Sequence, residues 1–408
     1  MKASESIERY PQKIREYANY AFKNVKIACR NYGARPAGSE SEKNAQSYML
    51  SELEKYCDTA KAESFNCSDK AYALSVAFGA ALLIISAALF SLGLAVASLA
   101  VAFIAAVVLV FETALKKPVT DIFFPKKTSG NVIGVRNAEE KAERRIILSG
   151  HTDSSYEYTY NYRGGKGIKA LIMFALGFDT GLFFAANIAY MVFYGVIGQN
   201  VWGADINIAF KIIAVATYVT LPFLIMALFF VSTKNPVTGA NTDLTGVFIS
   251  MAVSKFLSDN DIRFKNTEVV VLCSGAKEAG LYGAKAFVKE HKEFFENDCE
   301  TVFVGFDSIK ELEYLSIGVN DENVGSLIAE AAKENGLEAK NDKIGSFTDA
   351  AVMNKAGMKA AVVTAINENA NYYHTRLDKD DNISLGAVEA GVKTALEAVF
   401  LFDEKGLR

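Results

Sequence analysis

Histidine, tryptophan and proline are scarce in this chain of 408 residues, with three, one and six copies. So few imidazoles exclude a histidine-rich metal cluster and make each histidine worth weighing singly. The five cysteines, Cys29, Cys57, Cys67, Cys273 and Cys299, are odd in number and form no CxxC pair. That argues against a disulfide scaffold and against a thiolate zinc site, and it favours a reducing compartment. No basic stripe with interleaved aromatics accompanies the formal net charge of -4, so nucleic-acid binding has no electrostatic footprint. No GxSxG elbow is present and Cys273 has no evident histidine partner, which leaves serine and cysteine nucleophile chemistry without support. The first residues, MKASESIERYPQKIREYANY, lack the apolar core of a signal peptide, and no cleavable leader is expected. Internal repeats and low-complexity linkers are also missing.

What the chain has in excess is apolar residues, 51% of the total with a mean hydropathy of +0.14, gathered in two blocks. Ala71 to Phe111 contains no charge and is about twice the roughly 20 residues that one helix needs to cross a bilayer. Ser91-Leu92-Gly93 offers a tight turn inside it, so a helical hairpin over 72 to 91 and 94 to 114 is predicted. A buried pair of soluble helices would carry polar faces, and none is visible. Ala170 to Val231 holds only Asp179, Asp205 and Lys211 as charges, with GQNVWGAD as an interfacial turn. This predicts a second hairpin over 170 to 197 and 206 to 231. Its first span starts either near 170, which buries Asp179, or near Gly181, which leaves Asp179 at the interface; no role is assigned to it.

Each hairpin returns the chain to its starting side. Lys70, Lys116, Lys117, Lys126, Lys127, Arg163, Lys166, Lys169 and Lys234 flank the spans there, against Lys211 alone near the opposite turns, so the soluble part is expected in the cytoplasm. Residues 1-70, 115-168 and 232-408 are expected to form one domain, with hairpins at 71-114 and 169-231. Outside the hairpins strands alternate with helices: strands 131 to 135, 145 to 148, 268 to 273 and 301 to 306, and helices after Thr245, over 280 to 296 and over 386 to 402. The alternation predicts an α/β sandwich around a largely parallel sheet. Chemistry in such sheets gathers at the carboxyl ends of strands. His151 with Asp153, Glu278 and Asp307 fall at such ends, and His374 lies in a polar loop, which together offer the imidazole and carboxylate donors of a zinc site. His291, in AKAFVKEHKEFFE, sits among alternating charges and reads as structural.

Seven segments in order resemble the co-catalytic zinc aminopeptidases, metallopeptidase family 28. GARPAGSESEKNAQSYMLSEL resembles the N-terminal signature, and NVIGV with IILSGHTDS the strand leading into the HxD motif. GANTDLTGV is similar to the GAxDxxSGV helix start, and LCSGAKEAGLYGAKAF to the EEAGLxGS turn. FVGFDSI resembles the strand with a metal-binding aspartate, SFTDAAVMNKAGMKAAVVT the substrate-side helix and strand, and YYHTRLDKDDNIS the closing YHTxxD motif. The resemblance implies a three-layer α/β sandwich, interrupted here by two transmembrane hairpins, and a centre of one or two zinc ions. It matches His151, Glu278, Asp307 and His374 to metal ligands and Asp153 to the acid that orients the ligand histidine.

Two positions depart from the pattern. In the frame of GANTDLTGV the bridging aspartate falls on Thr242, with Asp243 one residue late, and the general base of the EE pair falls on Lys277. A protonated amine cannot accept a proton from water, and a threonine is a poor bridge between two dications. Lys277 would instead pair with Glu278, Asp307 or Asp243 and take the charge role of a missing metal. The reading is a membrane-anchored peptidase-like protein, impaired as a peptidase, that binds a peptide or small ligand in its cleft or a membrane-protein partner. The alternative is an active metal-dependent aminopeptidase or related amide hydrolase in which Asp243 bridges or one zinc suffices. Asp349 is then a conceivable base, against its plainer reading as a helix N-cap. A transporter ranks last, because the four spans carry so few ionisable residues.

Overall fold

Successive residues of a strand face opposite sides of the sheet, so an apolar run without alternation needs cover on both faces. Ile146-Ile147-Leu148 and Val269 to Cys273 are such runs, and every one of their side chains is buried. In a computed structural model, which describes residues 2–407 apart from 116, 163–164, 197, 296–297, 320 and 343–346, these runs form the centre of an eight-stranded sheet. The strands are β1 (Thr59–Cys67), β2 (Lys127–Arg136), β3 (Arg144–His151), β4 (Tyr156–Tyr158), β5 (Val231–Pro236), β6 (Thr267–Ser274), β7 (Glu300–Ile309), β8 (Leu315–Val319), β9 (Lys340–Asp342) and β10 (Lys359–Ala365). The sheet order is β1-β2-β6-β3-β7-β10-β8-β9, while β4 and β5 pair separately. The inner strands β6, β3, β7 and β10 are parallel. β2 runs antiparallel to β6 and β8 antiparallel to β10, which gives a mixed sheet with a parallel centre.

The α-helices are α1 (Tyr10–Tyr32), α2 (Glu40–Tyr56), α3 (Ala71–Ser91), α4 (Ala95–Val108), α5 (Thr159–Tyr162), α6 (Lys166–Tyr194), α7 (Ile208–Ala227), α8 (Thr245–Asp259), α9 (Tyr282–Glu290), α10 (Glu322–Glu334), α11 (Asp349–Lys355) and α12 (Leu385–Lys405). The chain divides into an α/β unit, Met1–Asp69 with Pro125–Ser155 and Pro236–Arg408, and a helical unit, Lys70–Phe124 with Tyr156–Asn235. The pairing of β4 with β5 draws residues 156 to 158 and 231 to 235 into the helical unit, so its second stretch is wider than the apolar block.

Period-two alternation splits the α/β core into two. Ile146, Leu148, Val271 and Val304 meet α1, α8, α10 and α12 on one face. Ile147, Val270, Leu272, Phe303 and Val362 meet α9 and α11 on the other, which makes three layers. Helix α8 is buried over most of its surface, Thr245, Ser250 and Ser254 included, as befits a helix between the sheet and α1 and α12. Val132 of β2 pairs with Cys273 of β6, so the sheet is continuous between chain segments on either side of the second apolar block.

In the helical unit four helices, Ala71–Ser91, Ala95–Ala114, Lys166–Tyr194 and Ile208–Ala227, are long and apolar enough to cross a membrane. The second ends in a π-helical turn over Leu109–Ala114. Phe90, Phe183, Tyr190 and Phe210 pack at the centre of the bundle. α6 starts at Lys166, four residues before the expected 170, and runs unbroken past Gly181, so Asp179 lies mid-helix, buried inside the bundle. Lys116, Arg163, position 197 and Glu296, which entered the sequence reading, lie outside the described residues. The helix expected over 280 to 296 stops at Glu290, because His291 leaves helical geometry to stack on Phe287 and bond Glu63 and Glu293, and a 3-10 turn follows. The alternating charges pointed to a solvated face, but His291 is buried, held between Glu63 and Glu293.

α8 sits on the sheet through glycine. A methyl group on Gly246 would lie 1.9 Å from the carbonyl oxygen of Phe306, and one on Gly150 would lie 2.1 Å from the amide of Val247. Gly246→Ala should therefore cost about 3 kcal/mol or more, since backbone cannot yield as a side chain can. Gly386→Ala, which meets nothing within 4 Å, is the control. Thermal melts of the purified variants check this; a Gly246→Ala melting point equal to the control's would contradict the close approach.

Candidate metal centre

The carboxyl ends of three parallel strands and two loops build one buried cluster. β3 delivers His151 as its last residue, and the turn after β6 delivers Lys277 and Glu278. β7 delivers Asp307, the turn before α8 delivers Asp243, and the loop after β10 delivers His374. His151 Nε2 lies 3.5 Å from Asp307 Oδ1 and 3.9 Å from Asp243 Oδ1. On the other side of Asp243, His374 Nδ1 lies 3.9 Å from the same oxygen, and His374 Nε2 is 3.8 Å from Glu278 Oε2. Asp243 therefore stands between the two histidines. Both its carboxylate oxygens, and His151 Nε2, are buried without a hydrogen-bond partner. Ligand atoms of His151, Asp243 and Glu278 all lie within 4.8 Å of one another, and this is the group among the described residues able to hold a metal ion.

The motif frame puts Thr242 at the bridging position, whereas Asp243 is the residue that faces the histidines, and the reason is local. Ala240–Leu244 forms a π-helical turn, which accommodates one residue more than an α-turn would. Thr242 is thereby turned away: its hydroxyl donates to Asp378 Oδ2 at 2.7 Å and its amide to the same oxygen at 2.9 Å. Asp243, one residue on, faces the histidines.

Lys277 is buried, with Nζ 2.8 Å from Glu278 Oε1 and 2.9 Å from Asp307 Oδ2. Burial opposes its charge, but Asp307 and Glu278 outweigh burial and raise the ammonium well above its ordinary value. Glu278 responds in the opposite sense: burial would raise it, yet Lys277, His374 and His151 hold it down to about 2. Asp153 anchors the turn. It accepts from the amides of Lys277 and Glu278 at 2.9 Å each, and its Oδ1 lies 3.3 Å from His151 Nδ1. Ala276, Ser308 and His374 all adopt left-handed backbone, at φ 50°, 59° and 49°. Non-glycine residues rarely do so, and here they aim the turns at one point.

Three further residues support the site without having been assigned a part in it. Asp378, of the HTRLD segment, also accepts from Asn241 N and Nδ2 and so fixes the π-helical turn. Arg35, of GARPAG, is fully buried and donates to the carbonyls of Gly33, Thr152 and Thr238, lending positive charge behind Asp243. Glu42 accepts from Gly38 N, Ser129 Oγ and Ala276 N, holding the turn that carries Lys277. The signal for it was the Ser39-x-x-Glu42 spacing at a helix start; Ser39 Oγ accepts the Glu42 amide at 3.1 Å. Asp349 is not the N-cap of α11, since Thr348 takes that place by accepting from Ala351 N. Its carboxyl instead lines a small cavity with His151, Lys277 and Asp307, and one of its oxygens is buried without a partner. Burial raises it to about 6, against the pull of His151 and Lys277.

The three-layer α/β fold is one shared with solved zinc aminopeptidases, and histidines and carboxylates gather at the carboxyl ends of its parallel strands. Residues 225–399 match the model of peptidase family M28, the family the motifs resemble. A zinc aminopeptidase from Bacillus subtilis superposes with a TM-score of 0.56 at 13% identity, covering 94% of both chains. The LapA aminopeptidase of Legionella pneumophila does so at 0.54 and 12% identity, over 97% of this chain and 76% of its own. A glutaminyl cyclase of Bacteroides thetaiotaomicron gives 0.52 at 13% identity, over 94% of this chain and 97% of its own. No curated protein sequence matches the chain.

Glu42 supplies a test of this packing. Burial, with Asp153 close by, pushes its carboxyl up from 4.5 to about 8. A raised folded-state value means that the stabilisation is complete below the unfolded value, near 4.5, and is lost as pH rises through about 8. The difference in melting temperature between Glu42→Gln and the parent should therefore shift in favour of the variant across that window. A difference independent of pH would show that Glu42 is ionised throughout.

Proposed function

We propose that this protein is a membrane-anchored, zinc-binding relative of the M28 aminopeptidases whose peptidase chemistry is impaired, and that it acts by holding a peptide terminus, another small ligand or a membrane-protein partner at its cleft. The four apolar helices support anchoring. The lysines at their ends, Lys70, Lys117, Lys126, Lys127, Lys166, Lys169 and Lys234 against Lys211, support a cytoplasmic α/β unit.

Zinc fits the donors. His151, Asp243 and Glu278 would hold it, with His374 beside them, and a bound dication would supply Lewis acidity toward a carbonyl oxygen. Two partnerless oxygens on Asp243 and a partnerless nitrogen on His151 are the features that ask for a cation.

The observation that carries impairment is Lys277. It occupies the general-base position of the motif, and its ammonium is held by Glu278 and Asp307 in the charged form. A charged ammonium accepts no proton, and general-base assistance is worth roughly a hundred- to ten-thousand-fold in rate. It also draws on two carboxylates that a second dication would need, so one zinc per chain is the expected content.

A second reading is favoured by Asp349, whose partnerless oxygen borders the same cavity and whose carboxyl, near 6, is ionised at neutral pH. An amide hydrolase using Asp349 as base would gain activity as pH rises through about 6 and lose it in Asp349→Asn. Metal analysis with an aminopeptidase assay separates the readings. The first expects one zinc or fewer, no release of N-terminal residues, and uptake of a second zinc by Lys277→Glu. Chelator-sensitive turnover by the unmodified protein, abolished by His374→Ala, would overturn it, and that pH profile would then identify Asp349 as the base.

A further inference from the structure

We propose that Asp179 is a proton-binding site inside the membrane, a carboxylic acid that donates its proton to Thr220 and thereby fastens α6 to α7. The inference rests on the reading of the four apolar helices as membrane spans. α6 has 29 residues, so at about 1.5 Å per residue Asp179 lies roughly 20 Å from either end. A hydrocarbon layer of about 30 Å centred on that helix puts the carboxyl near its midplane.

The surroundings of Asp179 are those of a neutral acid. The residue is fully buried, one carboxyl oxygen has no hydrogen-bond partner, and the other lies 3.0 Å from Thr220 Oγ1. Thr220 Oγ1 is also 3.0 Å from the carbonyl of Thr217. A hydroxyl has one hydrogen and cannot donate to both. If Asp179 Oδ1 carries a proton, the balance closes: the acid donates to Thr220 Oγ1, which passes its own hydrogen to the Thr217 carbonyl. Two residues further on, Pro222 lacks an amide hydrogen, so the helical ladder of α7 is already open beside the site.

Among the described residues no counter-charge competes with that arrangement. Helices α3, α4 and α5, which pack against α6, carry no charged residue, and α7 carries only Lys211, nine positions before Thr220 and thus about 13 Å along the axis. On α6 itself the charges are Lys166 and Lys169, at its first turn, and Lys169 donates to Asn161 Oδ1. Asp205 lies in the connection to α7, and Glu112 accepts from the amide and hydroxyl of Thr120. A carboxylate at Asp179 would be a lone buried charge, which a membrane interior resists strongly. The other polar layer of the bundle shows the contrast. Ser86, Ser98 and Asn187 link to one another through neutral groups alone: each serine hydroxyl bonds the other's carbonyl and Asn187 Nδ2 donates to Ser98 Oγ, although Asn187 Oδ1 has no partner.

The test uses the full chain in lipid vesicles near neutral pH. The infrared spectrum should contain a protonated-carboxyl stretch that is lost in Asp179→Asn, and a hydrophobic carbodiimide, which adds to a protonated acid without a leaving group, should mark the peptide containing Asp179. Asp179→Asn, which can still donate to Thr220, should melt close to the parent, whereas Asp179→Leu, with no donor, should melt lower. Parent and Asp179→Asn spectra that share every protonated-carboxyl band would overturn the proposal whether or not the carbodiimide reaches the site. Extraction of the protein from membranes by alkaline carbonate would instead overturn the reading of the helices as spans.

Discussion

Burying several carboxylates at one point is the constraint on which the rest of the α/β unit depends. Asp153, Asp243, Glu278, Asp307 and Asp378 converge at the ends of β3, β6 and β7, and like charges so placed repel strongly unless each finds compensation. The structure answers each differently. Asp153 and Asp378 are given backbone amides, Glu278 and Asp307 are given Lys277, and Arg35 adds a buried positive charge behind Asp243. The turns that supply these donors need left-handed backbone at Ala276 and Ser308, and α8 must approach the sheet closely enough that Gly246 and Gly150 cannot carry a side chain. Fold and site are therefore a single packing problem. Close glycine contacts bring the N-terminus of α8 to the strand ends, and strained turns point polar groups inward.

The apolar architecture was legible because it depends on composition over long stretches. A charge-free stretch of about 40 residues leaves few alternatives to a helical hairpin, and doubly buried strands announce themselves as Ile146-Ile147-Leu148 does. The strand-end positions of His151, Glu278 and Asp307 followed from the same periodicity. The short strands β8 and β9 and the edge strand β1 did not; β1 carries a polar sequence, TAKAESFNC, and owes its state to pairing with β2. Asp179 was ambiguous because composition does not fix where its helix begins; the helix takes in Lys166 and Lys169.

The finest features of the site lay below what residue order can express. Thr242 and Asp243 are adjacent, and which of them faces the histidines depends on whether the backbone takes an α-turn or a π-turn there. Asp378 makes that choice by binding the amides of Asn241 and Thr242, from a loop 136 residues away. Lys277 was different, since an ammonium in place of a carboxylate is visible in the residue itself; only its partners needed coordinates.

Carboxylates gathered around a site do not by themselves argue for catalysis. Asp153, Asp378 and Glu42 hold turns by accepting backbone amides, and a fold would need them whatever chemistry remained, because each removal would strand buried donors at about 1–3 kcal/mol apiece. Asp243 cannot be explained in that way. Its two oxygens accept from nothing, and the fold gains no turn and no cap from them. A buried carboxylate with no donor is stabilised by a proton or by a cation, and two histidines at 3.9 Å on either side of it place ring nitrogens where a dication would find them. The supporting acids thus speak for the fold, whereas Asp243 speaks for a metal. If the proposed impairment holds, Asp243 between two histidines is the feature that would still let the site hold a ligand through a metal.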